Sequence, residues 1–231
     1  AKNTVGGQFI SASYPPYKGE FATYTAWLYR EIQKYDNIHL HLNTEMTIDM
    51  VKEGKPDKVI LSSGAKPIIP NVPGIDHPKV VLGEDVLLGK SDCGMRVVVA
   101  GGGMVGTETA AFLGMQCKDK VTVIEMRDNV GLDMEAGIRD DLKDVLQREY
   151  VDVLCNCALA GVNDEGAIVK QGDKEFVIPC DNVVLCIGTR SYTPLKEELE
   201  KIVDTVVVGD AVKARQAIQA SREGFDAGFN A

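Results

Sequence analysis

One stretch, residues 96–125, constrains the fold more than any other part of the sequence. It runs from an apolar segment, Arg96-Val-Val-Val-Ala100, through Gly101-Gly-Gly-Met-Val-Gly106 and a helix-forming segment to a second apolar run ending at Glu125. Apolar runs rich in β-branched residues are typical of buried strands in a parallel sheet. Glycines at the G-x-G-x-x-G spacing, between a strand and a helix and followed by a strand with an acidic end, predict a dinucleotide-binding βαβ unit.

The three motif glycines have separate expected tasks. Gly101 allows the tight turn out of the strand, Gly103 leaves room for a pyrophosphate to approach the backbone, and Gly106 lets the helix pack closely on the strand. The free N–H groups at the positive end of the helix, around Met104 and Val105, are expected to bind the phosphates. The competing interpretation is a glycine-rich turn in a sheet protein that binds no nucleotide.

The acidic residue of the pattern is Glu125, at the end of the second strand. We expect its carboxylate to accept hydrogen bonds from both ribose hydroxyls of the adenosine half of the cofactor. Its negative charge would repel a 2′-phosphate, so the sequence favours NADH over NADPH. Arg127, two residues further on, would offset part of that repulsion.

The composition excludes several classes of function. With 231 residues, 45% hydrophobic and 26% charged, the sequence is typical of a soluble globular protein. A net charge of −9 without any Lys/Arg cluster argues against nucleic-acid binding, and no apolar run is long enough to span a membrane. The six cysteines lie mostly in apolar contexts without metal-ligand spacing, which favours a reduced cytoplasmic protein with no metal site.

Small residues follow three other predicted strands. Ser63-Gly64, Gly188 and Gly209-Asp210 each come directly after an apolar run. Ligands of open α/β sheets lie beyond the carboxyl ends of the strands, where small residues leave room for a flat cofactor. Any one of these positions would be interpreted as a simple turn, but together they suggest a second nucleotide site.

The remaining segments predict ordinary connecting structure. Residues 151–178 are expected to form a strand meander, and Ile38–Leu42 alternates apolar and polar residues as a half-exposed strand does. Residues 66–95 are rich in proline and glycine, so we expect a connection containing a domain boundary there.

On these residues the chain resembles the flavoproteins with two dinucleotide-binding domains, of the glutathione reductase type. Within them it is most similar to the C-terminal nucleotide-binding half of the 2-enoate reductase, 2,4-dienoyl-CoA reductase and trimethylamine dehydrogenase family. The resemblance covers nearly the whole chain. The matching segments are Gly6–Phe9, Val59–Pro67, Pro70–Gly74, Gly101–Glu108 and Val207–Asp210.

The resemblance implies an α/β fold in which a Rossmann-like NADH domain is inserted into an FAD-binding domain. The implied division is 1–92 (first part of a truncated FAD-binding domain), 93–190 (NADH-binding domain) and 191–231 (returning part of the FAD-binding domain). Glu108 would face the nicotinamide–flavin contact, although a surface carboxylate near the positive helix end is the alternative. The residues expected near FAD are Gly6, Gly7, Gln8, Ser63, Gly64, Gly209 and Asp210, the last binding the ribityl chain, and Gly188 joins the cofactor-binding set.

The chain has Ser62-Ser63-Gly64 where the family has Ala-Thr-Gly, and the larger departures from the family pattern are absences. The FAD G-x-G-x-x-G motif would precede Gly6, and so would an N-terminal barrel that carries FMN and iron–sulfur cysteines. We therefore interpret the chain as the nucleotide-binding piece of an NADH-dependent flavin oxidoreductase, and we expect it to hold little or no FAD alone. In the full-length enzyme, electrons from NADH would pass through FAD, the iron–sulfur cluster and FMN to an enoate or dienoyl substrate. No catalytic residue is assigned, because the cofactors carry the chemistry.

Two other interpretations stay open at this level. A non-catalytic ADP- or NAD-binding module of a larger flavoprotein would contain the same motif. A stand-alone disulfide reductase is disfavoured, because the chain contains no flavin-reactive C-x-x-x-x-C pair. The final electron acceptor and the formation of a homo-oligomer are left undecided by the sequence.

Overall fold

The computed structural model describes residues 2–231, which divide into two compact units. Unit 1 contains the described residues up to Gly7 together with Glu31–Pro67 and Thr189–Ala231. Unit 2 contains Gln8–Arg30 and Ile68–Gly188. Unit 1 is therefore discontinuous in sequence, and unit 2 holds the complete 96–125 stretch.

The helices and strands follow the chain in this order. The helices are α1 (Gln8–Ser11), α2 (Glu20–Ile32), α3 (Ile48–Gly54), α4 (Gly83–Leu87), α5 (Met104–Gly114), α6 (Ala136–Arg148), α7 (Lys196–Leu199) and α8 (Ala217–Phe229). The strands are β1 (Lys58–Leu61), β2 (Ala65–Pro67), β3 (Val80–Leu82), β4 (Arg96–Ala100), β5 (Lys120–Ile124), β6 (Asp152–Leu154), β7 (Ala158–Val162), β8 (Gly166–Gln171), β9 (Lys174–Pro179), β10 (Asn182–Leu185), β11 (Thr189–Ser191) and β12 (Asp204–Val207).

Unit 2 is built on a five-stranded parallel sheet with the strand order β3-β10-β4-β5-β6. Its central strands are continuous runs of valine and isoleucine because both faces of the sheet are covered. One face packs against α5 and α6, through side chains such as Ala110, Leu113 and Leu146. The other face packs against Val162 and Val169 of an antiparallel meander, β7-β8-β9. The predicted α/β fold, with its parallel sheet and its meander, is confirmed.

Unit 1 contains two small strand pairs. β1 and β12 are parallel, and β2 and β11 are antiparallel. Its core is a compact cluster of buried aliphatic side chains that includes Val51, Leu61 and Leu199. The helix α3 begins after Thr47, whose hydroxyl accepts a hydrogen bond from the Met50 N–H at 3.3 Å, as an N-cap residue does.

Three expectations about secondary structure were wrong. The strand meander expected over residues 151–178 begins only at Ala158, because Asp152–Leu154 is β6 and pairs with β5 in the parallel sheet. Ile38–Leu42 is neither strand nor helix, and its Ile38 and Leu40 side chains are more than 40% exposed. Alternation alone does not make a strand, because a strand needs a neighbour to satisfy its backbone hydrogen bonds. The connection expected over residues 66–95 contains β3 and α4, and β3 pairs with β10 in the sheet of unit 2.

Candidate functional site

The strand β4 ends in a turn that only glycine can form at its first position. Gly101 has a φ of 105°, and a Cβ placed there would lie 2.5 Å from the carbonyl oxygen of Cys186. Because that oxygen belongs to the chain just beyond β10, the neighbour of β4 in the sheet, it has little freedom to move away. The glycine therefore fixes the path of the chain out of the sheet toward α5.

The helix α5 lies directly against this turn. A Cβ on Gly106 would lie 1.8 Å from the carbonyl oxygen of Gly101, so no larger residue fits in this position without displacing the helix. Gly103 is the N-cap residue of α5, with no side chain to cover the first N–H groups of the helix. Met104 is half-buried and Val105 is 50% exposed, so the first turn of α5 lies at the surface, where its first N–H, that of Met104, donates to the Asp133 carboxylate.

Glu125 follows β5 and turns its carboxylate toward the glycine turn. Its Oε2 accepts a hydrogen bond from the Gly102 N–H at 2.7 Å, and its Oε1 accepts from the N–H and Nε of Arg127 at 2.8 and 3.1 Å. Burial alone would raise the pKa of Glu125, but the hydrogen bonds from Arg127 and Gly102 outweigh it and lower the pKa. The carboxylate is therefore ionised, and it joins the acidic strand end to the turn.

Glu108, in the second turn of α5, is a buried carboxylate that forms an ion pair with Lys18. The Lys18 side chain is 25% exposed and comes from the segment just before α2. Burial raises the pKa of Glu108, while the hydrogen bond and the charge of Lys18 oppose that rise. Glu108 is therefore not a surface carboxylate, which removes that alternative.

Parallel strands bring the nucleotide-site candidates of unit 2 to one edge of the sheet. The turn after β4, Glu125 after β5 and Gly188 beyond β10 all follow the carboxyl ends of neighbouring strands. Gly188 has a φ of 109°, and a Cβ on it would meet only the Ile68 side chain, at 3.7 Å. This edge is where α/β sheets bind their ligands.

Cys186 lies behind the turn, and its thiol is protonated near neutral pH. Burial raises its pKa to about 12, although a hydrogen bond with Thr109 opposes the rise. Among residues 2–231 all six cysteines are unpaired, and no group of three or more His, Cys, Asp or Glu side chains could hold a metal ion.

Unit 1 brings together two of the pairs expected near FAD. β1 and β12 are adjacent and parallel, with Leu61 opposite Val207, so Ser63-Gly64 and Gly209-Asp210 both follow the carboxyl ends of neighbouring strands. The Ser63 hydroxyl donates to the backbone oxygen of Tyr192. Gly64 has a φ of 77° and open space where a Cβ would lie.

Asp210 lies in a short 3₁₀ helix, Gly209–Ala211, which is held by hydrogen bonds to residues that follow it in the chain. The Gly209 N–H donates to the Glu223 carboxylate at 2.8 Å, and Asp210 accepts from the Arg215 N–H at 3.1 Å. Gly6 and Gly7 have φ values of 114° and 53°, and Gln8, the third member of that expected group, begins α1. Gly6 and Gly7 belong to unit 1, whereas Gln8 belongs to unit 2.

Two residues of the site gave no signal in the sequence. Asp133 accepts hydrogen bonds from the Met104 N–H, and Lys18 pairs with Glu108. These contacts join positions 29 and 90 residues apart. No local spacing rule reports contacts of that length.

The parallel sheet and the glycine turn between β4 and α5 are those of a Rossmann-type α/β domain. The chain belongs to the pyridine nucleotide-disulphide oxidoreductase family, whose model matches residues 20–214. Within residues 2–231, no helix has the length and apolarity needed to cross a membrane.

The curated relatives are oxidoreductases. The chain is 30% identical to a cinnamate reductase of Clostridium sporogenes over 98% of this chain and 34% of that protein. It is 31% identical to an NADH oxidase of Thermoanaerobacter brockii over 97% of this chain and 35% of that protein. The chain spans 34–38% of the length of the first four curated relatives that it matches.

A solved structure of a 2-naphthoyl-CoA reductase, in complex with 2-naphthoyl-CoA, has the same fold as this chain. Its TM-score is 0.92 at 27% identity, and the match covers 98% of this chain and 34% of that one. The resemblance to the 2-enoate and dienoyl-CoA reductase type is thereby confirmed.

Proposed function

We propose that the turn from Gly101 to Gly106, the N-terminus of α5 and Glu125 bind the ADP half of NADH. The observation that carries this proposal is the Glu125 carboxylate, which is buried, ionised and hydrogen-bonded to the Gly102 N–H. A carboxylate oxygen can accept two hydrogen bonds, and Oε2 accepts one from the Gly102 N–H, which leaves capacity for a ribose hydroxyl. Gly103 has no side chain at the point where a pyrophosphate would approach the backbone.

The same carboxylate supports NADH rather than NADPH as the ligand. A 2′-phosphate would have to lie against the negative charge of Glu125. Arg127 offers a positive charge nearby, but its Nε already donates to Glu125 at 3.1 Å. The Arg127 charge therefore stabilises the ionised Glu125, and only its terminal N–H groups are left for a phosphate.

We propose that unit 1 provides part of an FAD site in the complete protein. The proposal is supported by Ser63-Gly64 and Gly209-Asp210 at the ends of adjacent parallel strands, and by the open space at Gly64. The carboxylate of Asp210 can accept hydrogen bonds from a polyol chain. Gly6, Gly7 and Gln8 complete the proposed set, and we expect this chain alone to hold FAD weakly or not at all.

The two cofactors, when bound, supply the hydride transfer itself, and the protein supplies position and electrostatics. The turn at Gly101 and the first N–H groups of α5 orient the dinucleotide. The buried pair of Glu108 and Lys18 is proposed to lie at the nicotinamide–flavin contact, with Gly188 leaving room at the same sheet edge. None of these residues is assigned a proton-transfer role.

The complete protein is proposed to be an NADH-dependent reductase of an unsaturated acid or its CoA thioester. The names of the cinnamate and 2-naphthoyl-CoA reductases support that substrate class, and the NADH oxidase supports the electron donor. The partner would be an FMN- and iron–sulfur-containing barrel domain of the same chain. The proposed interruption of the FAD-binding domain by the NADH domain is supported by the discontinuity of unit 1. The proposed divisions at residues 92 and 190 stay predictions, and the two compact units separate after Pro67 and after Gly188. The unpaired cysteines support a cytoplasmic location.

Titration calorimetry of the 231-residue chain tests the cofactor assignment. We expect NADH and ADP-ribose to bind and NADPH to bind more weakly. Glu125→Ala should weaken ADP-ribose binding by about 10- to 100-fold, because a hydrogen bond to a charged group contributes about 1.5–3 kcal/mol. Glu125→Gln keeps an acceptor and removes the charge, so it should lose the preference for NADH over NADPH.

Glu175→Ala is the matched control, since Glu175 is an exposed residue of β9. It should bind ADP-ribose as the unmodified chain does. No binding of NADH or ADP-ribose, or tighter binding of NADPH than NADH, would refute the assignment. For the longer protein, an absorbance spectrum of flavin that NADH bleaches supports the oxidoreductase, whereas tight NAD binding without bleaching supports a non-catalytic module.

A further inference from the structure

The carboxylate of Asp133 lies at the N-terminus of α5. The Met104 N–H, the first of the helix, donates to Asp133 Oδ1 at 3.0 Å and to Oδ2 at 3.1 Å. A Cβ placed on Gly103 would lie 3.1 Å from Asp133 Oδ2. The side chain therefore takes up a donor and a space that the G-x-G-x-x-G turn offers to a phosphate.

The position of Asp133 in the chain allows this contact to open without disruption of the core. Asp133 is exposed and belongs to the connection between β5 and α6. The backbone of that connection is held by a hydrogen bond that does not involve Asp133, since the Gly131 N–H donates to the Gly102 oxygen at 2.7 Å. Gly131 has a φ of 67°. The exposed Asp133 side chain can therefore rotate without any change in the sheet or in α5.

We propose that Asp133 competes with the pyrophosphate of the dinucleotide for the N-terminus of α5, so that NADH binds only after this carboxylate has moved away. This inference rests on the proposed NADH site. The helix N-terminus carries about half a positive charge, which favours one anion and cannot neutralise two. Among residues 2–231 no Lys or Arg side chain forms a salt bridge with Asp133, so its charge remains to oppose a phosphate at this end of α5.

The proposal makes Asp133 a determinant of ligand selectivity. A ligand with a pyrophosphate meets the carboxylate directly, whereas adenosine has no phosphate to compete with it. Removal of Asp133 should therefore tighten the binding of ADP-ribose and leave the binding of adenosine unchanged. Removal of a residue with a purely structural role would change the affinities for ADP-ribose and for adenosine together.

Calorimetric titrations of Asp133→Ala and Asp133→Asn with ADP-ribose and adenosine test the inference. We expect Asp133→Ala to bind ADP-ribose about 5- to 30-fold more tightly, as release of an anion from a helix N-terminus allows, with a smaller gain for Asp133→Asn. Without ligand, Asp133→Ala should melt at a lower temperature, because the N-terminus of α5 loses its acceptor. Affinity and stability should thus change in opposite directions.

Glu135→Gln is the control variant, since Glu135 is exposed, lies two residues away and makes no side-chain cap to α6. It should bind ADP-ribose with an affinity within about twofold of the unmodified chain. Unchanged or weaker ADP-ribose binding by both Asp133 variants would overturn the inference while the NADH site stands. An equal gain for adenosine or for Glu135→Gln would overturn it too. Absence of ADP-ribose binding in every variant would overturn the proposed NADH site and this inference together.

Discussion

Replacement of Gly106 by alanine tests whether the contact between α5 and the preceding turn determines the stability of the site. The alanine Cβ would lie 1.8 Å from the Gly101 carbonyl oxygen and 3.2 Å from the Cβ of Cys186. Ordinary van der Waals contact begins at 3.4 Å. Since the nearest obstructing atom belongs to the backbone, no side-chain rotation relieves the overlap, and either α5 or the turn has to move.

Two opposing effects set the size of the change. Alanine is the better helix residue by about 1 kcal/mol. Overpacking of a dense interior costs about 1–3 kcal/mol and sometimes more, and a backbone obstruction at 1.8 Å belongs at the upper end. We therefore expect Gly106→Ala to lose about 2 kcal/mol of unfolding free energy, which for a chain of this length lowers the melting temperature by about 4–8 °C. ADP-ribose binding should weaken as the turn is displaced.

Gly137→Ala gives the matched comparison, because Gly137 lies in α6 with nothing within 4 Å of a Cβ. That variant should be more stable than the unmodified chain by about 0.5–1 kcal/mol. Differential scanning calorimetry and titration with ADP-ribose measure both quantities. A Gly106→Ala protein as stable as the unmodified chain, with unchanged affinity for ADP-ribose, would refute the steric account of the turn.

Two further predictions concern ion pairs. Asp181 accepts hydrogen bonds from Arg96, and these bonds lower the pKa of Asp181 from 3.8 to about 2. Because this carboxylate stabilises the folded state only when it is ionised, Asp181→Asn should be less stable than the unmodified chain above about pH 4. Urea titrations should show that difference shrink as the pH falls below 4 and vanish only below about pH 2. Lys18→Met should lose about 3 kcal/mol near pH 7, because Glu108 stays buried without its partner. Since burial raises the pKa of Glu108, that loss should shrink as acidification protonates the carboxyl, and a loss independent of pH would contradict the pairing.

The local pattern was sufficient to predict the turn and its flanking strands. Residues 96–125 contain the strand, the glycines, the helix and Glu125 in sequence order, so each part is recognisable from its neighbours. The direction of the Glu125 carboxylate, toward the Gly102 N–H, follows from the sheet register and not from spacing. The predicted roles of these residues in cofactor binding stay predictions.

Other features depend on contacts that a local pattern does not contain. β3 has three residues within a proline- and glycine-rich segment, and only its pairing with β10 makes it a strand. Ile38–Leu42 has the alternation of a strand but is not assigned to one. Asp133 and Lys18 reach α5 from distant segments, so their contacts are properties of the folded chain alone.

The pairing of β1 with β12 has a consequence for the order of folding. These strands are roughly 150 residues apart in the chain, and closure of so long a flexible loop is entropically unfavourable. The longest segment of unit 2 lies between them, and its ends already meet, since the Ile68 N–H donates to the Gly188 oxygen at 3.0 Å. Once unit 2 has folded, the two parts of unit 1 start from neighbouring points and only short loops remain to be closed. Unit 2 is therefore expected to fold first. The rate at which β1 pairs with β12 then depends on the folding of unit 2, which contains neither strand.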